Sequence, residues 1–263
     1  MDIVVCVKRV PDISEAELRI AEDGRSIEEK HLAFDINEWD RYAVEEAVRL
    51  KERLGGSVTA IALGPEEVED TLRRCLATGA DEAIRLTDKS FQGSDAITVA
   101  RILAQVIRNL KFDLVLTGVQ ASDDGYGQVG PALAELLGLP HATLVTQVDI
   151  TNGWARVHRE LEGGLEEIIE IKLPAVLTIQ TGINEPRYVS IAGVRKAARK
   201  ELKVFDLEGM GLKAEEVGEA GSKARLKRLF PPPITKEIEM LPSEPEEAAS
   251  KLIQILKEKG GLI

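Results

Sequence analysis

Leu114-Val115-Leu116-Thr117-Gly118-Val119-Gln120-Ala121-Ser122-Asp123-Asp124-Gly125-Tyr126-Gly127-Gln128-Val129-Gly130-Pro131 changes character twice. An apolar run stops at Gly118, a polar glycine-rich loop follows, and a helical pattern starts near Gln128. A strand, a loop and a helix N-terminus in that order gather free backbone N–H groups around a phosphate. Gly125, Gly127 and Gly130 also spell the dinucleotide spacing. That fingerprint belongs directly after a first strand, with an acidic residue about 20 positions on. Here it follows the fourth strand, and Asp149, the acid at a comparable distance, falls at a strand end. A nicotinamide site of the usual Rossmann kind is therefore disfavoured, while a phosphate-binding loop is retained.

The flanks say what sheet this strand belongs to. Apolar runs at 3–7, 58–63, 82–86 and 113–118 predict four strands. Helical periodicity separates them at 38–54, 66–78, 94–110 and 128–137. In the first helix Ala43, Val44, Ala47 and Val48 share a face, and Gly55-Gly56 stop it. Ser94 is read as the cap of the third. Strand and helix alternating in this way predict an α/β fold: a doubly wound, mostly parallel sheet, Rossmann-like and adenine-nucleotide-binding, with helices on both faces. A strand at 143–150 follows, then an antiparallel hairpin at 154–161 and 165–172, and one more strand at 174–180.

After Tyr188 the core-like density fades. From Ala192 the chain is basic, with Arg195, Lys196, Arg199, Lys200 and Lys203. A capping box at Ser243-Glu244-Pro245-Glu246 opens a terminal helix with Ala249, Leu252, Ile253 and Leu256 on one face. Two regions are expected: a nucleotide-binding domain at 1–190, and a docking segment with a C-terminal arm at 191–263. One helix on a long polar tether cannot bury its stripe alone, so it is expected on the main domain or on another subunit.

Composition narrows the function. The chain has 263 residues, 44% hydrophobic but only 4% aromatic, so its core is aliphatic, as buried parallel strands require. A net charge of −11 disfavours nucleic acid as a partner. No apolar run reaches the roughly 18 residues of a membrane span. Met1-Asp2 lead straight into a strand, so no targeting peptide is expected. Two cysteines, Cys6 and Cys75, each within an apolar pattern, predict no disulfide framework and a cytoplasmic location.

In a doubly wound sheet the ligand lies beyond the carboxyl ends of the strands, where strand order reverses. If the first and fourth strands are neighbours, the loops after Cys6 and Gly118 meet there, with Leu63-Gly64 beside them. Lys8 and Arg9 either neutralise phosphates or pair with an acid such as Asp12 or Asp35. Asp123 and Asp124 are read as turn formers before acid–base catalysts, because adjacent loop side chains diverge. Trp39 is read as core. His31, His141 and His158 share no metal-ligand spacing. No nucleophile elbow occurs. No catalytic residues and no metal are assigned, and binding or electron carriage is favoured over hydrolysis.

Several blocks resemble the beta subunit of electron transfer flavoproteins. They are Val7-Lys8-Arg9-Val10, Asn37 followed by residues 43–52, Gly64-Pro65 and Thr78-Gly79-Ala80-Asp81. Most specific is the hairpin Val157-His158-Arg159-Glu160-Leu161-Glu162-Gly163-Gly164, then Ile168-Ile169 and Leu173-Pro174-Ala175-Val176-Leu177-Thr178. Asn184-Glu185-Pro186-Arg187-Tyr188 follows as it does in that family. The likeness spans about residues 2–203.

The resemblance implies a heterodimer with an alpha subunit that holds an FAD, and an adenine nucleotide on this chain. The implied nucleotide site is Cys6, Lys8, Asn37, Leu63, Gly64, Gly118, Gln120, Ala121, Ser122, Asp123, Asp124, Gly125, Tyr126, Gly127, Gln128 and Val129. Glu38-Trp39-Asp40 depart from the family's usual residues there. Ile191 stands where the family carries an apolar anchor for a partner dehydrogenase, although the next residue, Ala192, replaces its proline. Housekeeping members end the loop in Asn-Gln-Thr and hold AMP. Gly127-Gln128-Val129 here resembles the electron-bifurcating members. They hold a second FAD, take electrons from NADH, and pass them to ferredoxin or flavodoxin and to a dehydrogenase or quinone oxidoreductase. An AMP-binding beta subunit and an adenine-nucleotide-binding regulatory module are the alternatives.

Overall fold

The computed structural model describes residues 1–14, 16–233, 238 and 240–260. It divides into two compact units, Met1–Lys227 and Arg228–Ile263. The second contains the predicted terminal helix, which runs over Pro245–Gly260. Parts of the expected C-terminal arm, at 234–237, 239 and 261–263, lie outside the described residues.

The first unit is a nine-stranded sheet flanked by helices. In chain order it comprises β1 (Asp2–Val7), β2 (Arg9–Asp12), β3 (Ala33–Ile36), α1 (Glu38–Leu54), β4 (Ser57–Leu63), α2 (Val68–Thr78) and β5 (Glu82–Leu86). There follow α3 (Ala96–Ile107), β6 (Leu114–Gly118), α4 (Val129–Leu137), β7 (His141–Thr151), β8 (Trp154–Leu161), β9 (Leu165–Lys172) and β10 (Ala175–Ile179). Last come α5 (Ile191–Ala198), β11 (Lys203–Phe205) and the single turn α6 (Gly218–Gly221). The terminal helix is α7.

The sheet order is β11-β5-β4-β1-β6-β10-β7-β8-β9. Pairing is parallel from β11 to β7, and antiparallel from β7 to β9. The chain winds outward from β1 through β4 to β5, then returns to place β6 on the other flank of β1. Right-handed crossovers in opposite directions put helices on opposite faces. Ala43 and Val44 of α1 and Leu72 and Leu76 of α2 belong to one core cluster. Leu103 of α3 and Leu133 of α4 belong to the other. The predicted doubly wound sheet is therefore present, with its switch point between β1 and β6. Ile3 pairs with Leu114 there, and Val5 with Leu116.

The structure departs from the sequence reading in places. Asp95, and not Ser94, caps α3, accepting a hydrogen bond from the Thr98 N–H at 2.8 Å. Ser94 instead donates to the Phe91 carbonyl. Asp95 also accepts from the N–H groups of Lys223 and Ala224, which ties a distant segment to α3. Burial opposes its ionisation, but these N–H donors prevail and hold its pKa down to about 2. The sequence reading placed neither the β2–β3 ribbon nor the elements at residues 191–205, where α5 packs on α2 and β11 pairs with β5.

Candidate nucleotide-binding crevice

A crevice of about 210 Å³ opens at the carboxyl ends of β1 and β6. Two residues at the start of α1 build its base. Asn37, 1% exposed, donates through Nδ2 to the Gln120 carbonyl at 2.8 Å and accepts at Oδ1 from the Ser122 N–H at 3.1 Å. Asp40 accepts from the Lys8 N–H at 2.7 Å and from the Gly118 N–H at 3.0 Å. The carboxyl ends of β1 and β6 and the loop after β6 are thus fastened to one helical turn. Burial pushes the Asp40 carboxyl up to about 7, against the pull of those N–H donors and the Asn37 side chain. Burial, then the Asp40 carboxylate, pushes the Cys6 thiol far up, so it is a neutral wall group with no nucleophilic character.

Close approach explains two glycines. A Cβ on Gly118 would lie 2.4 Å from Asp40 Oδ1 and 2.6 Å from the Trp39 Cβ. A Cβ on Gly130 would lie 2.3 Å from Thr178 Cγ2. Gly118 lets α1 reach the end of β6, and Gly130 lets α4 sit against β10. Trp39 itself is half-buried and donates from Nε1 to Gln180 Oε1 at 2.9 Å.

Among the described residues no side chain caps α4, which starts at the crevice with Val129 after Gln128. Pro131 in the first turn carries no N–H, a position where proline is tolerated. The N–H groups of Val129 and Gly130 are therefore the first donors of an uncapped helix, and the helix dipole adds its positive end there. A phosphate fits this arrangement. Gly127 lies in the left-handed region at φ +60, and a Cβ there would meet only the Val119 carbonyl oxygen, at 3.6 Å.

Lys8 Nζ sits 2.6 Å from Asp123 and 2.8 Å from Asp124, and not on the Asp12 or Asp35 named from the sequence, bridging the β1 end to the loop across the rim. Burial lowers the Lys8 pKa, but these two carboxylates more than offset it and raise it. Asp124 also accepts from the Tyr126 N–H, so it forms the expected turn as well. Arg9 takes another course and stacks over Phe34, 3.7 Å from the ring centroid.

Twelve of the sixteen residues named from the sequence line the crevice. Gly64, Ser122, Asp123 and Gly125 do not line it but adjoin it. Gly64 donates to the Leu86 carbonyl, Ser122 binds Asn37, Asp123 binds Lys8, and Gly125 closes a turn onto Ala121. Ser94, Ala96, Val99 and Leu103 form a wall that sequence reasoning missed. The signal available was α3 itself, an apolar helix beginning at the carboxyl end of β5. Ile191 is at the start of α5, 72% exposed, and does not line the crevice.

A doubly wound α/β sheet with an uncapped helix start at its switch-point crevice defines the class. The chain belongs to the electron transfer flavoprotein family, as a beta subunit. The family model described as electron transfer flavoprotein domain matches residues 25–209. The chain is 42% identical to the electron transfer flavoprotein subunit beta of Methylophilus methylotrophus, covering 99% of this chain and all of that one. It is 37% identical to the caffeyl-CoA reductase-Etf complex subunit CarD of Acetobacterium woodii, over 98% of this chain and 99% of the other. It is 36% identical to the protein FixA of Azotobacter vinelandii, over 92% and 89%. Family membership carries an electron-transfer role and association with flavin or nucleotide. Among the described residues no helix is long and apolar enough to cross a membrane.

Proposed function

We propose that this beta subunit holds FAD in the β1–β6 crevice, pairs with an alpha subunit carrying a second FAD, and takes electrons from NADH for bifurcation. The observation that carries the reading is the end of the loop. Gly127 and Val129 place neither an amide side chain nor a hydroxyl beside the uncapped start of α4, and the space over Gly127 is open. The Val129 and Gly130 N–H groups would hold a phosphate, and Asn37 and Asp40 would fix the loop around it. The apolar wall from α3 would exclude water. FAD supplies the two-electron acceptance and one-electron release that the chain's own side chains lack. One electron would go to ferredoxin or flavodoxin, the other to a dehydrogenase or quinone oxidoreductase. The name of the CarD relative, a subunit of a reductase-Etf complex, supports such a partner. Residues 191–263, beginning at the exposed Ile191, would serve docking, in a cytoplasmic complex.

A second reading, AMP in place of FAD, is favoured by the modest volume of about 210 Å³. A loop exchange separates the two. Gly127→Asn suits its left-handed backbone, since Asn tolerates that region, and Val129→Thr changes little volume. In the heterodimer with the alpha subunit, the double variant is expected to lose bound FAD from the beta site, take up AMP in its place and lose bleaching by NADH. A wild-type protein that NADH does not bleach would overturn the proposal.

A further inference from the structure

A second cavity, of about 460 Å³, lies between α1, α2 and the segment ending in α5. It is larger than the crevice and separate from it. The two share one wall, the first two turns of α1: Asp40 lines the crevice, Arg41 and Val44 the cavity. Ile36, Val44, Cys75, Val189 and Val194 give the cavity an apolar lining.

Four guanidinium groups stand around that lining: Arg41, Arg73, Arg74 and Arg187. Arg187 is neutralised by Glu45 and Glu52. Arg74 pairs with Asp35, the one carboxylate among the lining residues. Arg73 uses Nη1 to hold the carbonyls of Ala197 and Lys200, and has no carboxylate partner among the described residues. The Arg41 side chain has no partner among the described residues. In a chain of net charge −11, two guanidinium groups facing a concave apolar surface without a counter-charge mark a site for an anion. The volume falls within the range of about 300–1,000 Å³ usual for small-molecule sites.

We infer that this cavity binds a small amphiphilic organic anion, with its carboxylate on Arg41 and Arg73 and its apolar body against Ile36, Val44 and Val194. The carboxylate supplies the missing counter-charge, and the apolar body displaces water from the aliphatic lining. The site is independent of what occupies the crevice.

Titration calorimetry of the full chain, with hexanoate and with uncharged hexanamide as probes, tests this. Hexanoate is expected to bind saturably and at least about tenfold more tightly than hexanamide, the scale of one charge-assisted hydrogen bond. Arg41→Gln, at an exposed side chain without a partner, is expected to weaken hexanoate about tenfold. Ala198→Phe, which fills the cavity from an exposed position, is expected to abolish binding. The inference is overturned if hexanoate does not saturate, if hexanamide binds equally well, or if both variants bind hexanoate like the unaltered chain.

Discussion

Asp40 is the residue on which the crevice depends, because its two oxygens join strand ends that are far apart in sequence. Its folded-state pKa of about 7 lies above the ordinary carboxylate value of about 3.9. Between those values the folded chain binds more protons than the unfolded one, so this group's contribution is fully present below about pH 4 and is lost as pH rises through 7. Asp40→Asn is expected to remove that slope from urea unfolding measured across pH 4–7. It is also expected to cost about 1–3 kcal/mol at low pH, because the amide NH2 cannot accept from a backbone N–H. An unchanged slope would assign the pH dependence elsewhere. Gly118→Ala drives a Cβ into Asp40 and Trp39, and is expected to destabilise by about 1–3 kcal/mol in the same assay. Gly118 and Asn37 were legible as site residues in the sequence. The role of Asp40 was not, since a carboxylate beside an apolar helix face looks solvated until the packing shows otherwise.

Elements were legible where periodicity is long. The boundaries of α1, β5 and the β8–β9 hairpin match the sequence reading residue for residue. The β2–β3 ribbon was not legible, because its strands have four residues each and Pro11 interrupts one of them. α5 was hidden for another reason: its start has a local cap, but tertiary partners fix its C-terminal end and its position. Ser190 accepts from the Gly193 N–H, Arg73 binds the carbonyls of Ala197 and Lys200, and Gly193 lets the helix approach Ala77. Leading into it, Arg187 clamps residues 184–188 to α1 through Glu45, whose side chain is 2% exposed, and Glu52. Removing Arg187 leaves Glu45 buried with Arg49 as its remaining ion-pair partner. Arg187→Ala is expected to cost about 2–3 kcal/mol, discounted because the guanidinium is itself partly exposed. It should also hasten proteolysis between residues 184 and 200. Unaltered cleavage there would show that the clamp does not hold α5.

At the scale of the molecule, strict alternation of strand and helix made the doubly wound sheet legible, and the chain's return past β1 made the switch point a consequence of it. The closing edge was less legible, because β11 has only three residues and gains its place by pairing with β5 across more than a hundred positions. The proposed role rests on the switch-point crevice, with Gly127 and Val129 at its rim, holding a flavin dinucleotide. Its most direct test is to co-express the chain with its alpha subunit, release the nucleotides by denaturation, and count them per heterodimer. Two FAD are expected. One FAD with one AMP would contradict that role.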